Sequence, residues 1–425
     1  MAKHTYILTD VTVKGGKFKV DKRDITVGET ILKAHTETPV IEDNHGRLTP
    51  GEDGKYSFTA LTGGEFRFID ANNASITAFD GFAVTTAIKV TVNNAAAGNN
   101  ELKSIITGSG KDVVSVTKAA GATFDLGAGN DSISVAAGTA TVTLGDGKDT
   151  INIADAASTS VTITDYSYAD DTVILENATN LAMNYKESMF TAEGTTGTKV
   201  SIGTAMNNGV YELKLSTDGT AGTATHFVRT NVSSVDYVAK DAINFESTGD
   251  TTALNLTLAG KSAEKNTVSV GATEGTVNIV AGKAQADITV GAGVDLGLGI
   301  AKNGSVVSVT SALDAKDTLY LVDGGKLDEL TFDSSGATGD LKYGSDGAKV
   351  TNAYDKTAEG AFNYNINGKT GVLRYGNTNK VTYTKGVSYY ANATTVDASD
   401  YGDVVLNLNG YSDDAFAAGI NTIAG

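Results

Sequence analysis

The stretch LGAGNDSISVAAGTATVTLGDGKDTINI, residues 126–153, contains one motif twice. Each copy is Gly-x-Gly-x-Asp followed by residues in which polar and apolar side chains alternate, and an Ala/Thr-rich segment separates the two copies. Alternation with a period of two in Val, Ile and Thr predicts β-strands. The glycines and aspartates predict tight turns between them. The stretch therefore predicts a repeating unit of two short strands and two turns.

The motif occurs a third time upstream, so the repeat is regular. The three units begin at Gly108, Gly127 and Gly145, with spacings of 19 and 18 residues. Farther along, predicted strands recur at similar short intervals and begin near Thr267, Thr276, Asp287, Leu296 and Val306. A strand roughly every nine or ten residues, with small residues at the corners, predicts a β-solenoid whose successive coils stack as parallel strands.

The composition limits the classes of partner and chemistry. The chain has 425 residues and a formal net charge of −17 at pH 7. Because such a chain repels phosphates and anionic lipids, we expect no nucleic-acid partner. No run of the sequence approaches the roughly 18 apolar residues of a membrane-spanning helix, so we expect no membrane insertion. The absence of cysteine excludes thiol nucleophiles and cysteine-ligated metal sites.

The three motif copies read GSGKDVVSV, GAGNDSISV and GDGKDTINI. They resemble the nonapeptide repeats of the RTX (hemolysin-type calcium-binding) proteins, whose pattern is Gly-Gly-x-Gly-x-Asp-x-hydrophobe-x. The resemblance implies calcium as the cofactor. Calcium takes six to eight oxygen ligands, and glycine permits the positive φ angles that turn backbone carbonyls toward an ion.

The resemblance also implies which positions of this chain act as ligands. The side-chain ligands would be Asp112, Asp131 and Asp149, with Asp171 or its neighbour Asp170 completing a last site. The backbone carbonyl ligands would come from Gly108, Gly110, Gly127, Gly129, Gly145 and Gly147. The apolar residues that anchor the following strands in the core would be Val114, Ile133 and Ile151.

The sequence departs from the family pattern in two ways. The first glycine of the pair is replaced by Thr107, Leu126 and Leu144, and only every second nonapeptide carries an aspartate. We therefore expect one edge of the roll to bind calcium and the other to be closed by Ala/Gly/Thr turns. A single further copy, GAGVD at 291–295, makes Asp295 a weaker candidate. In the alternative reading, the aspartates only cap tight turns through their own backbone.

Longer repeats predict the domain organisation. Residues 171–185 resemble 317–332, and 198–215 resemble 348–366, which indicates a module of roughly 150 residues. The fold class that follows is all-β, with parallel β-solenoid or β-roll segments alternating with antiparallel hairpin-rich inserts. We expect an N-terminal β domain with a partial insert-like copy at 1–98, the calcium-binding roll at 99–175, an insert at 176–250, a second solenoid with degenerate repeats at 251–335, and a second insert at 336–425.

Catalysis has little support in the sequence, and we predict that the chain is not an enzyme. Adjacent carboxylates are expected by chance among 50 acidic residues, and no Gly-x-Ser-x-Gly elbow occurs. The histidines His4, His35, His45 and His226 show no metal-ligand spacing. Tyrosines are concentrated in the last insert, as at Tyr389 and Tyr390. Exposed tyrosines can bind a glycan or a host surface protein, although packing within the hairpins is the simpler reading.

These features together predict a secreted, calcium-stabilised structural protein that self-assembles on the cell surface as a filament or surface layer. The first residues lack the apolar segment of a Sec-type signal peptide, and the resemblance implies type I secretion to an extracellular location. Residues 410–425 resemble 93–108, the lead-in to the first roll. Either a longer protein is cut at this point, or the final coil is open to receive the first strands of a neighbour, which predicts a homo-oligomer formed head to tail. The alternative function is a calcium-dependent adhesin that binds through its inserts.

Overall fold

A computed structural model of the chain describes residues 45–50, 55–70, 75–92, 102–291 and 293–300, and elsewhere only the individual strands named below. In this described part the only helical element is a 3-10 turn at Ala221–Thr223, and no helix is long and apolar enough to cross a membrane. The predicted all-β class is confirmed. The chain divides into two compact units: unit 1 comprises Met1–Ala205 and Leu213–Ala224, and unit 2 comprises Met206–Glu212 and Thr225–Gly425.

Unit 1 is built from short strands separated by tight turns. In chain order they are β1 (Lys3–Leu8), β2 (Glu29–Thr30), β3 (Ile41–Glu42), β4 (Gly46–Pro50), β5 (Lys55–Ala60), β6 (Gly64–Asp70), β7 (Ser75–Asp80), β8 (Ile88–Val92), β9 (Ser104–Ile106), β10 (Val113–Val116), β11 (Ala119–Asp125), β12 (Ser132–Val135), β13 (Gly138–Thr143), β14 (Thr150–Ile153), β15 (Ser160–Tyr166), β16 (Thr172–Leu175), β17 (Ala178–Asn184), β18 (Met189–Gly194) and β19 (Lys199–Thr204). Strand β20 (Tyr211–Ser216) has its first two residues in unit 2 and the rest in unit 1.

The strands of unit 1 alternate between two parallel sheets. The first sheet contains β6, β8, β10, β12, β14 and β16 in that spatial order. The second contains β5, β7, β9, β11, β13 and β15. Successive strands of the chain therefore lie in opposite sheets, and each strand pairs with the strand two steps later. This is the predicted parallel β-solenoid, which is confirmed.

The core of unit 1 lies between the two sheets because the side chains alternate along each strand. In β10, β12 and β14 every second residue is buried, and the predicted anchors Val114, Ile133 and Ile151 are fully buried. They stack in register from coil to coil. Since strands with a period of two bury one face and expose the other, the repeat in the sequence becomes a column of aliphatic side chains inside the solenoid.

The hairpin in the predicted insert at 176–250 is shorter than the sequence suggests. Antiparallel pairing joins β17 to β18 and β18 to β19, and β19 then pairs parallel with β15. The strands at Thr225–Thr230 and Ser234–Val238 then pair parallel with the strands at Ile243–Ser247 and Ala253–Thr257. The domain limits themselves stay predictions.

Unit 2 repeats the two-sheet arrangement with its own strands. In chain order they are β21 (Thr225–Thr230), β22 (Ser234–Val238), β23 (Ile243–Ser247), β24 (Ala253–Thr257), β25 (Lys265–Val270), β26 (Gly275–Ala281), β27 (Gln285–Thr289), β28 (Val294–Ile300), β29 (Val306–Thr310), β30 (Thr318–Leu321), β31 (Glu329–Ser334), β32 (Lys342–Tyr343), β33 (Gly360–Ile366), β34 (Lys369–Tyr375), β35 (Lys380–Thr382), β36 (Ser388–Tyr389), β37 (Thr395–Asp397), β38 (Val405–Leu406) and β39 (Thr422–Ala424). The strands predicted from the sequence begin within two residues of the observed starts of β25 to β29.

The odd-numbered strands β21 to β31 form one parallel sheet of unit 2. The even-numbered strands β22 to β32 form the other. In the predicted second insert, β33 and β34 form an antiparallel hairpin, whereas β35, β37 and β39 pair parallel. The tyrosine side chains proposed for glycan binding, those of Tyr389 and Tyr390, lie outside the described residues.

Candidate metal centre

Four aspartates of unit 1 form a stacked row, called here the aspartate row: Asp112, Asp131, Asp149 and Asp171. Each directly precedes a strand of the first sheet, β10, β12, β14 or β16, and the register of these strands places the four residues opposite one another. All four are buried, with exposed fractions of 0%, 2%, 1% and 1%. Acidic side chains are almost never buried to this degree without a partner. The row is therefore the feature of unit 1 that most needs a chemical explanation.

One carboxylate oxygen of each member binds the backbone of the preceding coil. The amide of Ile88 donates to Asp112 Oδ1 at 2.7 Å, and the amide of Asp112 donates to Asp131 Oδ1 at 2.7 Å. The amide of Asp131 donates to Asp149 Oδ1 at 2.7 Å, and that of Asp149 donates to Asp171 Oδ1 at 3.1 Å. Each aspartate therefore links its own coil to the preceding one through this hydrogen bond, an interaction called here a rung. The reading in which they cap only their own turns is too narrow.

The second oxygen has a partner at the two ends of the row. The amide of Gly108 donates to Asp112 Oδ2 at 3.1 Å, and the amide of Ser167 donates to Asp171 Oδ2 at 2.8 Å. The second oxygens of Asp131 and Asp149, called here the middle pair, are buried and have no hydrogen-bond partner. A carboxylate oxygen accepts hydrogen bonds and cannot donate them, so the partner that these two atoms lack would be a cation, a proton or a buried water molecule.

The turn glycines explain why the middle pair lacks a donor. The amide of Gly127 donates to Asp125 Oδ1 at 3.2 Å, and the amide of Gly145 donates to Asp165 Oδ2 at 2.8 Å. Both glycines have positive φ, +80° and +86°. In these two coils the amide that could have donated a hydrogen bond to the buried aspartate thus donates to another carboxylate. The repeat pattern did not indicate Asp125 and Asp165, which are the last residue of β11 and the next-to-last residue of β15.

The second glycine of the motif is required by close stacking of the turns. A Cβ atom on Gly129 would lie 1.9 Å from the carbonyl oxygen of Gly110, and one on Gly147 would lie 1.4 Å from that of Gly129. Both have φ near +145°, which other residues rarely adopt. The motif glycines are therefore explained by the fold alone, and their presence is not specific to a metal site.

Burial and mutual repulsion make the charged form of the row unfavourable. Burial raises the pKa of Asp131 to about 6, and the charge of Asp112 adds to the effect. Burial likewise raises the pKa of Asp149 to about 6 and that of Asp171 to about 7, with further increases from neighbouring aspartates. The pKa of Asp112 is raised by burial as well. The backbone amides lower these values but do not outweigh burial.

Apolar residues and a tyrosine close the two ends of the row. Fully buried Ile88 precedes Asp112, and the register of β16 with β20 places buried Leu213 after Asp171. The hydroxyl of Tyr166 donates to the backbone carbonyl of Asp171 at 3.3 Å and accepts from the amide of Lys214 at 2.7 Å. The charged segment is thus limited to the four aspartates.

The oxygen atoms that the row offers as ligands fit a calcium ion in part. The middle pair supplies two buried anionic oxygens, and oxygen ligands are the type calcium prefers. The carbonyls of Gly108 and Gly127 accept hydrogen bonds from the amides of Ala128 and Asp146, each at 2.9 Å, in the next coil. A carbonyl has a second lone pair, so these hydrogen bonds alone do not prevent either carbonyl from acting as a ligand. In the described part of the chain no group of three or more His, Asp or Glu side chains is placed to hold a metal, so carbonyl ligands would be needed.

Two other candidate residues, His226 and Asp295, belong to unit 2. In unit 2, His226 is buried, with Nε2 3.2 Å from Glu212 Oε1, and the Tyr237 hydroxyl donates to the same oxygen at 2.6 Å. Burial raises the pKa of Glu212, but the hydrogen bonds from His226 and Tyr237 outweigh it and leave the pKa below its ordinary value. Asp295 is half-buried in β28, in the second sheet of unit 2.

Comparison with known proteins leaves the aspartate row as the main guide to function. No family model matches the chain, and neither a curated protein nor a solved structure matches it.

Proposed function

We propose that the chain is a secreted structural protein whose β-solenoid is stabilised by calcium and assembles on the cell surface as a filament or surface layer. The observation that carries the proposal is the middle pair, Asp131 and Asp149, whose second oxygens are buried and have no donor. Bound calcium would supply positive charge to these oxygens. The ligands would come from the aspartate row and from the carbonyls of the motif glycines.

The proposed role of calcium is conditional folding. At low calcium the ionised row has no cation and opposes closure of the coils. At millimolar calcium, binding to the folded state stabilises it by mass action. A protein exported unfolded through a type I channel would then complete its folding only outside the cell.

The proposed assembly is head to tail, through the ends of the stacked coils. A parallel sheet that ends without a cap presents unpaired N–H and C=O groups, which favour pairing with another chain. A head-to-tail contact that does not close into a ring generates a filament.

The test is to measure the size and appearance of the purified chain in calcium and in chelator. We expect ordered assemblies by negative-stain microscopy and light scattering in millimolar calcium, and their loss in excess chelator. The double variant Asp131→Asn/Asp149→Asn should assemble to the same extent in calcium and in chelator. A wild-type chain that stays monomeric at high concentration in calcium would rule out the proposed assembly.

A further inference from the structure

Unit 2 has a row of side chains in the position that the aspartate row occupies in unit 1. The register of β21, β23, β25, β27 and β29 aligns its members, which are all buried: His226, Ile243, Asn266, Ala286 and Val307. This set is called here the unit 2 row. It contains no carboxylate, and three of its five members are aliphatic.

Asn266 makes the same rung as an aspartate, without the charge. The amide of Ile243 donates to Asn266 Oδ1 at 2.9 Å, as the amide of Ile88 donates to Asp112. The local sequences agree: KNTVSV at 265–270 corresponds to KDVVSV at 111–116. The rung is therefore one structural device used in both units.

The second polar atom of Asn266 is satisfied by the protein itself. Its Nδ2 donates to the backbone carbonyl of Ala259 at 2.9 Å, and the side chain is fully buried. An amide carries a donor as well as an acceptor, so this rung needs neither a proton nor a cation. The second oxygens of the middle pair in unit 1 lack such a partner.

One buried acidic residue of unit 2, Glu212, contacts the unit 2 row, and its carboxylate has partners. Glu212 Oε1 lies 3.2 Å from His226 Nε2 and accepts a hydrogen bond from the Tyr237 hydroxyl at 2.6 Å.

Two other acidic residues of unit 2 lie away from its row. Asp287 points out of the solenoid, where its carboxylate pairs with the ammonium of Lys265. Asp295 lies in β28 of the opposite sheet. The described part of unit 2 therefore has no buried carboxylate oxygen without a partner, in contrast to the middle pair of unit 1.

We propose that the two units differ in metal dependence: unit 1 requires calcium for its stability, and unit 2 folds without it through a row that contains no carboxylate. The inference rests on the proposed function, because it assumes that calcium binds the aspartate row. It adds that calcium acts on one half of the protein and that the other half is a metal-independent scaffold.

Hydrogen exchange with mass spectrometry on the full chain tests this, with peptides from β10 to β16 compared with peptides from β23 to β29. Moving from chelator to calcium at about a hundred times its Kd should slow exchange in unit 1 about a hundredfold. Exchange in unit 2 should not change. Equal slowing in both units would overturn the inference while leaving the proposed function standing. No slowing in either unit would overturn both.

Two variants sharpen the result. Asp131→Asn should reduce the calcium response of unit 1, whereas Asp287→Asn removes the same charge from the surface of unit 2 and should leave both responses unchanged. Exchange in unit 2 also reports whether the Asp131→Asn chain is folded. If Asp287→Asn lowers the response of unit 1 as strongly as Asp131→Asn does, the effect is one of net charge and the inference is wrong.

Discussion

At the scale of single residues, the aspartate row has two opposing effects on stability: its hydrogen bonds join the coils, and its buried charge is unfavourable. One oxygen of each aspartate holds the backbone of the neighbouring coil. The negative charge that makes it a good acceptor is unfavourable where the side chain is buried. A hydrogen-bonded rung could be made by a neutral side chain, as Asn266 does. The charge is therefore the part of the row that needs a function.

The raised pKa values predict how metal-free stability depends on pH. Because the folded state holds protons on Asp131, Asp149 and Asp171 up to about pH 6–7, and an unfolded aspartate loses its proton near pH 4, the folded chain binds more protons between these values. Its free energy of unfolding therefore falls as the pH rises from about 4 to about 7. In chelator we expect the Tm to be higher at pH 5 than at pH 7.5.

Calcium and protons compete for the same oxygens in this account, so the increase in Tm caused by calcium should be larger at pH 7.5 than at pH 5. Thermal unfolding followed by circular dichroism measures both effects. A metal-free Tm that rises steadily from pH 5 to pH 7.5 would contradict the assignment of raised pKa values to the row.

The close stacking of the turns gives a second prediction at this scale. Gly147→Ala places a methyl group against the carbonyl of Gly129 and should lower the free energy of unfolding by about 3 kcal/mol or more. The matched control is Gly121→Ala, where φ is +73° but nothing lies within 4 Å of the new Cβ. It should cost only the backbone strain, about 1–2 kcal/mol. If urea unfolding shows that both variants lose the same free energy of unfolding, close stacking of the turns is not what requires glycine at position 147.

The sequence predicts the residues of the row but not their contacts. The positions of Asp112, Asp131 and Asp149 follow from the repeat, since the residue before each strand must face the corner of a coil. Which oxygen meets which amide depends on the register between coils and on the direction of each turn amide, and neither is encoded in the spacing. Asn266 was missed because a search for aspartate overlooks the matching KNTVSV.

At the scale of elements, the hairpin of β17 to β19 is attached to the solenoid at its turn. Asp155, in the turn between β14 and β15, accepts hydrogen bonds from the Thr195 hydroxyl and from the amide and hydroxyl of Thr196. These hydrogen bonds, the one from Thr195 first, hold the pKa of Asp155 well below its usual range. The contact joins residues about forty positions apart in the chain.

We therefore predict that Asp155→Ala loosens this turn and leaves the coils intact. Amide exchange at 194–198 should speed up several-fold, while exchange in β12 and β14 stays the same. The control is Asp218→Ala, which removes an exposed carboxylate with similar bonds to Thr220 and Thr223 within its own turn. An equal effect of both variants on 194–198 would show that the Asp155 contact does not fix the hairpin.

Strand periodicity predicts the coils well because each strand's alternation is a local property. It predicts the insert less well. Segments such as TKVSIGT alternate in the same way whether they pair parallel or antiparallel. Only the turn between two strands determines the direction in which they pair. The return of β21 and β23 to parallel pairing therefore could not be read from the pattern of apolar residues in 225–247.

At the scale of the whole molecule, two units with one architecture carry different chemistry at equivalent positions. If unit 2 folds without calcium, the proposed export through a narrow channel would require unit 2 to be still unfolded when it reaches the channel. The non-local parallel pairing of its strands favours this, since contacts between residues distant in sequence slow folding. Calcium would then control the folding of unit 1 outside the cell.

Equilibrium dialysis of the full chain against calcium measures whether the aspartate row binds the ion. We expect the wild-type chain to bind calcium at millimolar concentration or below. We expect Asp131→Asn/Asp149→Asn to bind less calcium per chain while keeping its β-sheet circular dichroism. A folded wild-type chain that binds no calcium at millimolar concentration would contradict calcium binding by the row.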